Sequence, residues 1–225
     1  MPPAFPRCRP FTAPYDRAEL LADGLMHTAG LAFALFGIVF LTTKAQGLPA
    51  VGTASVWIYG VALVLTFAIS AAYNFWPCSS AKLILRRFDQ SAIFLFIAAT
   101  YTPFIAHAHP EPSRALLAAI WGVAWIGVVL KLGYPGRFER LEITLCLALG
   151  WSGLFVYDTV FGSLPVSTVF LTVSGGVLYS VGVVFHLWDR LRFQNAIWHA
   201  FVLCAAALHF CAIFNLMSVA VVRGG

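Results

Sequence analysis

Apolar runs as long as a bilayer is thick dominate this chain and leave it few folds. The hydrocarbon core of a membrane needs about 20 consecutive apolar residues for each helix that crosses it. Short polar or proline-containing breaks separate seven such runs, at residues 24–43, 51–76, 89–105, 115–132, 141–160, 165–187 and 194–222. The sequence therefore predicts an all-α integral membrane protein, a bundle of seven transmembrane helices.

The scarcity of charge supports this class. Hydrophobic residues make up 60% of the chain and charged residues only 10%, and the mean hydropathy is +0.85. A water-soluble domain carries about 25% charged residues, so this chain has too few to cover a surface in water. The net charge of +5 would suit nucleic acid in a soluble protein. Membrane topology explains the basic loops instead, and no nucleic-acid partner is expected.

The basic residues indicate the orientation of the bundle. Seven spans place 11 of the 14 basic residues on one side of the membrane, namely Arg7, Arg9, Arg17, Lys82, Arg86, Arg87, Lys131, Arg137, Arg140, Arg190 and Arg192. The other side receives only Lys44, Arg114 and Arg223. Because positively charged loops stay in the cytoplasm, we predict an inner (cytoplasmic) membrane protein with its N-terminus inside and its C-terminus outside.

The start of the chain differs in composition from the rest. Residues 1–18 contain five prolines and three arginines, which is typical of a segment that cannot form a packed core. We predict a disordered basic cytoplasmic tail over residues 1–18 and one membrane domain over residues 19–225.

The five cysteines are far apart in the sequence. None forms a C-x-x-C pair, and four lie in or beside apolar runs. We interpret them as free thiols packed among helices rather than as a disulfide framework.

Polar side chains recur at the predicted cytoplasmic ends of three spans, where they are costly and therefore candidates for function. Ser70 and Asn74 lie one turn apart in the second span, and Asp89 opens the third. Asn195 and His199 lie one turn apart in the seventh. Residues four apart share a helix face, so we predict that the five side chains line one cavity that holds a metal ion, a water molecule or a lipid headgroup. The alternative is that they cap helix ends and bond one another.

The remaining histidines are weaker candidates. His27 in the first span and His209 in the seventh are interpreted as interhelical hydrogen-bond donors. His186, near the inner end of the sixth span, is a spare candidate metal ligand. Three further polar residues are predicted to face the outer water: His107, His109 and Asp158.

Five stretches carry motifs that a random apolar helix would not contain. They are ELLADGLMHTAG in the first span, SAAYN ending the second, RRFDQSAIFLFIAATYTPF across the third, SGGVLYSVG in the sixth and IWHAFVLCAAALHF in the seventh. In these stretches the chain resembles the hemolysin III family, the bacterial branch of the progestin and adipoQ receptor (adiponectin receptor) superfamily. The resemblance spans almost the whole chain after the tail and implies seven spans with the N-terminus inside.

The resemblance also implies a zinc ion near the cytoplasmic face. In the family its ligands are a histidine that ends an S-x-x-x-H motif in the second span and both histidines of an H-x-x-x-H motif in the seventh. An aspartate of the third span holds a water near the metal. In this chain the serine is Ser70, the aspartate Asp89 and the last histidine His199. The other two ligand positions are Asn74 and Asn195, where the family has histidine.

The two asparagines change the chemistry of this site. A catalytic zinc keeps three protein ligands and a water, and an amide oxygen suits harder ions than zinc. Cys78, four residues after Asn74, is an alternative ligand. We expect the chain to keep the fold and to bind zinc weakly or not at all, with a hydrogen-bonded network in its place.

Three functions remain open. The asparagine pair favours a protein of membrane and lipid homeostasis or sensing that has a degenerate metal site. The second function is a zinc-dependent intramembrane hydrolase of lipid amides, similar to alkaline ceramidases, with Asp89 and Ser70 as catalytic residues and Asp89 as the base for a metal-bound water. The third is a pore-forming cytolysin, which should show polar residues along a whole helix face. Membrane lipids are the expected partners in each case, and a homo-oligomer is left open.

Overall fold

The computed structural model describes residues 16–106, 110–134, 137, 139–156, 162 and 164–224. This part of the chain contains the α-helices α1 (Arg17–Lys44), α2 (Ala50–Phe75), α3 (Ser80–Ala106), α4 (Pro110–Gly133), α5 (Glu139–Trp151), α6 (Val166–His186) and α7 (Gln194–Gly224). Two short 3-10 helices, Ala45–Gly47 and Ser152–Val156, follow α1 and α5. His107, His109, Asp158 and most of the predicted tail lie outside the described residues.

Six of these helices are long and apolar enough to cross a membrane, and they are α1 to α4, α6 and α7. The prediction of an all-helical, multi-pass membrane protein is therefore confirmed at that level. The predicted fifth span at 141–160 corresponds to α5, which is 13 residues long and continues as the 3-10 helix Ser152–Val156. Its last four residues lie outside the described part of the chain, so the count of seven spans stays a prediction.

Helices α1 and α3 begin earlier than their apolar runs. Asp16 caps α1, because its side chain accepts the backbone N–H of Glu19 while the Glu19 carboxylate accepts the N–H of Asp16. This reciprocal pair is a capping box, and it makes the end of the predicted tail helical from Arg17 onward. Ser79 similarly precedes α3, where its hydroxyl accepts the N–H of Lys82 at 3.3 Å.

From α1 to α4, each helix packs against the next one in the chain. Helix α1 also packs against α7, which closes the bundle. Helix α3 is the most deeply buried of the six long helices. Large side chains fill the core, and those exposed by 1% or less include Tyr59, Phe94, Phe104, Ile213 and Met217. Since α1 and α2 are antiparallel, as are α2 and α3, the start of α1, the end of α2 and the start of α3 share one end of the bundle. The start of α7 lies there too, because Arg192 and Phe193 just before it bond Asp16 and Glu19.

Helices α6 and α7 approach each other closely because glycines face the contact. A methyl group on Gly182 would stand 2.9 Å from the Cβ atom of Phe201, and one on Gly175 would collide with the His209 ring. Helix association in lipid depends on this close fit. The Nε2 atom of His209 also bonds the carbonyl oxygen of Thr172 at 3.0 Å, an interhelical hydrogen bond of the predicted kind.

A buried ion pair joins α4 to α5. The ammonium of Lys131 contacts the carboxylate of Glu142, and the two residues are 5% and 4% exposed. Charges removed from water need such a partner, because an isolated buried ion is strongly destabilising. This pair fixes the short α5 helix against the bundle.

Candidate functional site

Asn195 connects three helices at the shared end of the bundle. Its amide nitrogen donates to the Asp23 carboxylate of α1 at 3.0 Å and to the Asn74 side-chain oxygen of α2 at 3.0 Å. The Asn74 amide nitrogen in turn donates to the carbonyl oxygen of Ser70 at 2.9 Å. Two of the predicted site residues thus bond each other directly, and both lie on the helix faces predicted from their spacing.

His199 extends this network toward α2 and α3. Its Nδ1 atom lies 2.9 Å from the carbonyl oxygen of Asn195, and its Nε2 atom lies 3.3 Å from the Ser70 hydroxyl. A carbonyl oxygen only accepts, so in the neutral ring Nδ1 carries the proton and Nε2 accepts from Ser70. The Asp89 carboxyl lies beside the Ser70 hydroxyl, with Arg86 as a charged neighbour. The five residues predicted to form the site therefore lie close together, but only Asn74 among them lines either of the two cavities described below, so the prediction that all five line one cavity stays a prediction.

His27 also belongs to this site. Its ring is 2% exposed and packs edge-on against the His199 ring, with 4.2 Å between the ring centroids. Its Nε2 atom is buried and has no hydrogen-bond partner among the described residues. The Asn74 side chain of α2 is also within reach of the His27 ring, an interhelical contact of the predicted kind, but the position of His27 next to His199 was not predicted.

Asp23 is the functional residue that sequence reasoning missed. It is 8% exposed and accepts a hydrogen bond from Asn195. A signal for it was present, because Asp23 and His27 are four residues apart and so share a face of α1. A buried carboxylate and a histidine on one face would have identified α1 as the fourth helix of the site.

The spare candidates lie elsewhere. The His186 ring packs against the ring of Trp198, with 4.9 Å between centroids. His209 bonds α6, as described above. Cys78 is disulfide-bonded, so it offers no thiolate to a metal and the interpretation of all five cysteines as free thiols is wrong at this position. Cys146, Cys204 and Cys211 are free.

Two contacts attach the start of α1 to the loop before α7. The Arg192 guanidinium donates to the Asp16 carboxylate at 2.8 Å, and the backbone N–H of Phe193 donates to Glu19 at 3.1 Å. Phe193 adopts a positive φ of 60°, which a non-glycine residue rarely does. The N–H of Glu19 and the Arg192 charge hold the pKa of Asp16 below its usual value. These contacts fix the start of α7, and hence Asn195, relative to α1.

Two cavities flank the network. The polar cavity, of about 420 Å³, is lined by Asp23, His27, Asn74 and Lys82 and by the apolar Leu20 and Phe75. A second, apolar cavity of about 150 Å³ lies among α3, α5, α6 and α7. Trp198, the neighbour of His199, lines the apolar cavity.

The residues at the family's ligand positions do not fit a zinc ion. Asn74 uses its side-chain oxygen as the acceptor for Asn195, and the Nε2 atom of His199 accepts from Ser70. Across the described residues, no three His, Cys, Asp or Glu side chains are grouped so that they could hold a metal ion. Zinc prefers imidazole, thiolate and carboxylate ligands, whereas two of the three ligand positions, Asn74 and Asn195, carry amides that bond each other.

A family model and two bacterial relatives point to the same family. The model of the family described as "Haemolysin-III related" matches residues 19–210. The chain is 33% identical over 204 residues to "Hemolysin-3 homolog" of Bacillus subtilis (strain 168), covering 89% of this chain and 96% of the relative. It is 32% identical over 208 residues to "Hemolysin-3" of Bacillus cereus, covering 90% and 94%.

A more distant similarity extends to animals. The chain is 30% identical over 168 residues to "Monocyte to macrophage differentiation factor" of Homo sapiens, covering 72% of this chain and 69% of that protein. No solved structure matches the chain.

Proposed function

Because the chain belongs to the hemolysin III family, within the progestin and adipoQ receptor superfamily, we propose that it senses or regulates membrane lipids through a metal-free polar site.

For the topology, we propose seven spans in the inner membrane, with the N-terminus inside. Support comes from the separation of 11 basic residues from the other 3, which requires α5 to cross. The helical segment from Glu139 to Val156 is 18 residues long, the sum of the 13 residues of α5 and the 5 of the 3-10 helix. A segment of that length is close to the lower limit for a span.

For the site, one observation carries the proposal: the amide of Asn195 bonds both Asn74 and Asp23. In this arrangement two of the three positions that hold zinc in the family, Asn74 and Asn195, are joined by a hydrogen bond between side chains. A satisfied polar network of this kind can stabilise a bundle and specify its register without a metal.

For the role, the position of the site supports contact with lipid. The network lies at one end of the bundle, where helices begin and end, and the polar cavity beside it includes the exposed apolar side chains Leu20 and Phe75. A continuous conducting path would need polar groups along a whole helix face. The site residues cluster at one end instead, which favours a role at the membrane surface over a pore.

A lipid amide hydrolase is the second candidate, favoured by Asp89 lying beside Ser70. The donor set described above does not fit the metal that this chemistry requires. The hydrolase would become the leading candidate only if the purified protein contained about one zinc per chain. No catalytic step is assigned to these residues.

The role is tested by the lipid composition of cells that lack the gene. We expect loss of the chain to alter the acyl-chain composition of phospholipids after a temperature shift, and the wild-type gene to restore it even in the presence of a zinc chelator. Asn195→Ala should fail to restore it. The matched control is Asn215→Ala, the same change on the same helix, which removes bonds to Ser167 and Thr168 at the other end of α7. Identical lipid composition with and without the chain would contradict the proposed role.

A further inference from the structure

The apolar cavity has a shape that fits an extended chain. It is lined along α3 from Ile93 to Phe104 and along α6 from Val169 to Val183. At about 1.5 Å per residue, these two stretches are about 16 and about 21 Å long. A volume of about 150 Å³ spread over such a length leaves room for one aliphatic chain and not for a fused ring system.

The apolar cavity is also accessible from the side of the bundle. Leu154, just after α5, and Val173, on α6, both line it and are 51% and 37% exposed. In a membrane bundle such exposed apolar side chains contact the acyl chains of the surrounding lipid. A ligand can therefore enter the cavity directly from the bilayer.

One hydroxyl group on the lining of this cavity lacks a partner. The lining side chains that carry a hydroxyl are Thr100, Tyr101, Thr172, Tyr179 and Ser180. All of them except Tyr179 donate to backbone carbonyl oxygens. The Tyr179 hydroxyl is buried and has no hydrogen-bond partner among the described residues. Because buried polar groups are normally hydrogen-bonded, this hydroxyl is available to a ligand.

His209 supplies an acceptor beside Tyr179. Its Nε2 atom lies 3.0 Å from the carbonyl oxygen of Thr172, which can only accept, so Nε2 carries the proton and the Nδ1 atom of the neutral ring is an acceptor. Within the described part of the chain, Nδ1 makes no hydrogen bond. The rings of Tyr179 and His209 both line the cavity, with 5.6 Å between their centroids. A ligand hydroxyl can accept from one and donate to the other, whereas a carbonyl oxygen can only accept.

The depth of this pair indicates where the ligand carries its hydroxyl. His209 is 10 residues after His199, so it lies about 15 Å along α7 from the polar network. The hydrocarbon core of a bilayer is about 30 Å thick. A hydroxyl group at this depth therefore belongs near the middle of an aliphatic chain and not at the polar end of a lipid.

We propose that the apolar cavity binds an aliphatic lipid chain that carries a hydroxyl group near its middle. The chain lies between α3 and α6, and its hydroxyl accepts from Tyr179 and donates to the Nδ1 atom of His209. A hydroxylated acyl chain has this chemistry both as a free acid and within a glycerophospholipid. The inference rests on the proposed function, because it names a class of lipid that the protein senses.

The test is native mass spectrometry of the delipidated full-length protein in detergent, with 12-hydroxyoctadecanoic acid and octadecanoic acid added at equal concentration. We expect the hydroxylated acid to be retained at least about tenfold better. Tyr179→Phe keeps the ring and should retain both acids equally. Tyr59→Phe is the matched control, because the Tyr59 hydroxyl is also buried without a partner among the described residues. Tyr59 is not among the described residues that line the cavity, so this variant should keep the preference.

A second measurement uses only the wild-type protein and does not depend on the folding of any variant. Moving the hydroxyl to the carbon next to the carboxyl group, or to the far end of the chain, should lower retention to that of octadecanoic acid. Glycerophospholipids with and without the mid-chain hydroxyl repeat the comparison, and a preference in either form supports the inference.

Three results would overturn the inference. They are equal retention of hydroxylated and plain chains in both forms, a preference that is the same for every position of the hydroxyl, and a preference that survives in Tyr179→Phe. These readouts measure neither zinc nor cellular lipid composition, so failure of the proposed function and failure of this inference are distinguished.

Discussion

At the scale of single residues, Asn195 determines the geometry of the site, because one amide nitrogen serves two acceptors on two helices. Asn195→Ala would leave the buried Asp23 carboxylate without that donor. Hydrogen bonds to charged groups contribute about 1.5–3 kcal/mol, so we expect a loss of about 2 kcal/mol in unfolding free energy, measured by thermal unfolding in detergent. Asn215→Ala, whose partners are neutral hydroxyl groups, should lose about half as much. Equal losses would show that the Asp23 contact adds nothing.

Asp16 gives a prediction about pH. The N–H of Glu19 and the guanidinium of Arg192 lower its pKa in the folded protein. The stability that follows is therefore present above the unfolded pKa of about 3.9 and is lost as the pH falls through the lower, folded value. Asp16→Asn keeps a capping side chain but cannot titrate. The difference in unfolding midpoint between the wild-type protein and this variant should be largest near pH 6 and shrink steadily as the pH falls below about 4, and a constant difference would contradict the assignment.

The site contains features that could be predicted from residue spacing and features that could not. The spacing of four between Ser70 and Asn74, and between Asn195 and His199, places each pair on one helix face. The distance between those faces depends on how helices from remote parts of the chain align. For this reason the hydrogen bond between Asn195 and Asn74, and the edge-on contact between the rings of His27 and His199, could not be predicted from spacing.

At the scale of elements, the Lys131–Glu142 pair is the contact that holds α5 in place. Removing one member leaves an uncompensated buried charge, which costs about 3–5 kcal/mol. We expect Lys131→Met to lower the unfolding free energy by that amount, and the double variant Lys131→Met with Glu142→Leu to recover most of it. Lys44→Met, at an exposed position, is the control and should change little. A double variant as unstable as the single one would show that the charges do not act as a pair.

The helix boundaries differ from those that the apolar runs predict, because the runs do not include polar helix ends. The runs predict where a helix crosses hydrocarbon, but α1 and α3 extend past them into polar residues. The extensions depend on capping by Asp16 and Ser79, which hydropathy does not register. The extension of α3 adds the turns that carry Lys82 and Arg86, and Lys82 lines the polar cavity.

At the scale of the whole molecule, the orientation can be tested by labelling. With seven spans, cysteines introduced at Lys44 and Gly162 should react with a membrane-impermeant maleimide in intact cells. Cysteines introduced at Arg137 and Arg190 should react only after permeabilisation. All four positions are exposed in the structure. Labelling at Gly162 only after permeabilisation would mean that α5 does not cross, and the seven-span topology would then be wrong.

The class of the molecule was predictable because it follows from composition, and the family because its motifs are local in sequence. Sixty per cent hydrophobic residues in bilayer-length runs permit little besides a helical bundle. The state of the site is different, since it depends on which partner each amide finds. Asn74 and Asn195 together predict a loss of zinc, and the bond between them supports that prediction, which a metal measurement tests.

Metal content distinguishes a metal-free asparagine network from a zinc site. The full-length protein and the variant Asn74→His with Asn195→His are purified identically, supplied with zinc, dialysed and analysed by elemental mass spectrometry. We expect far less than one zinc per wild-type chain and about one per double-variant chain, because the variant restores the three-histidine donor set with His199. About one zinc per wild-type chain, lost in His199→Ala, would contradict it and return the hydrolase to first place.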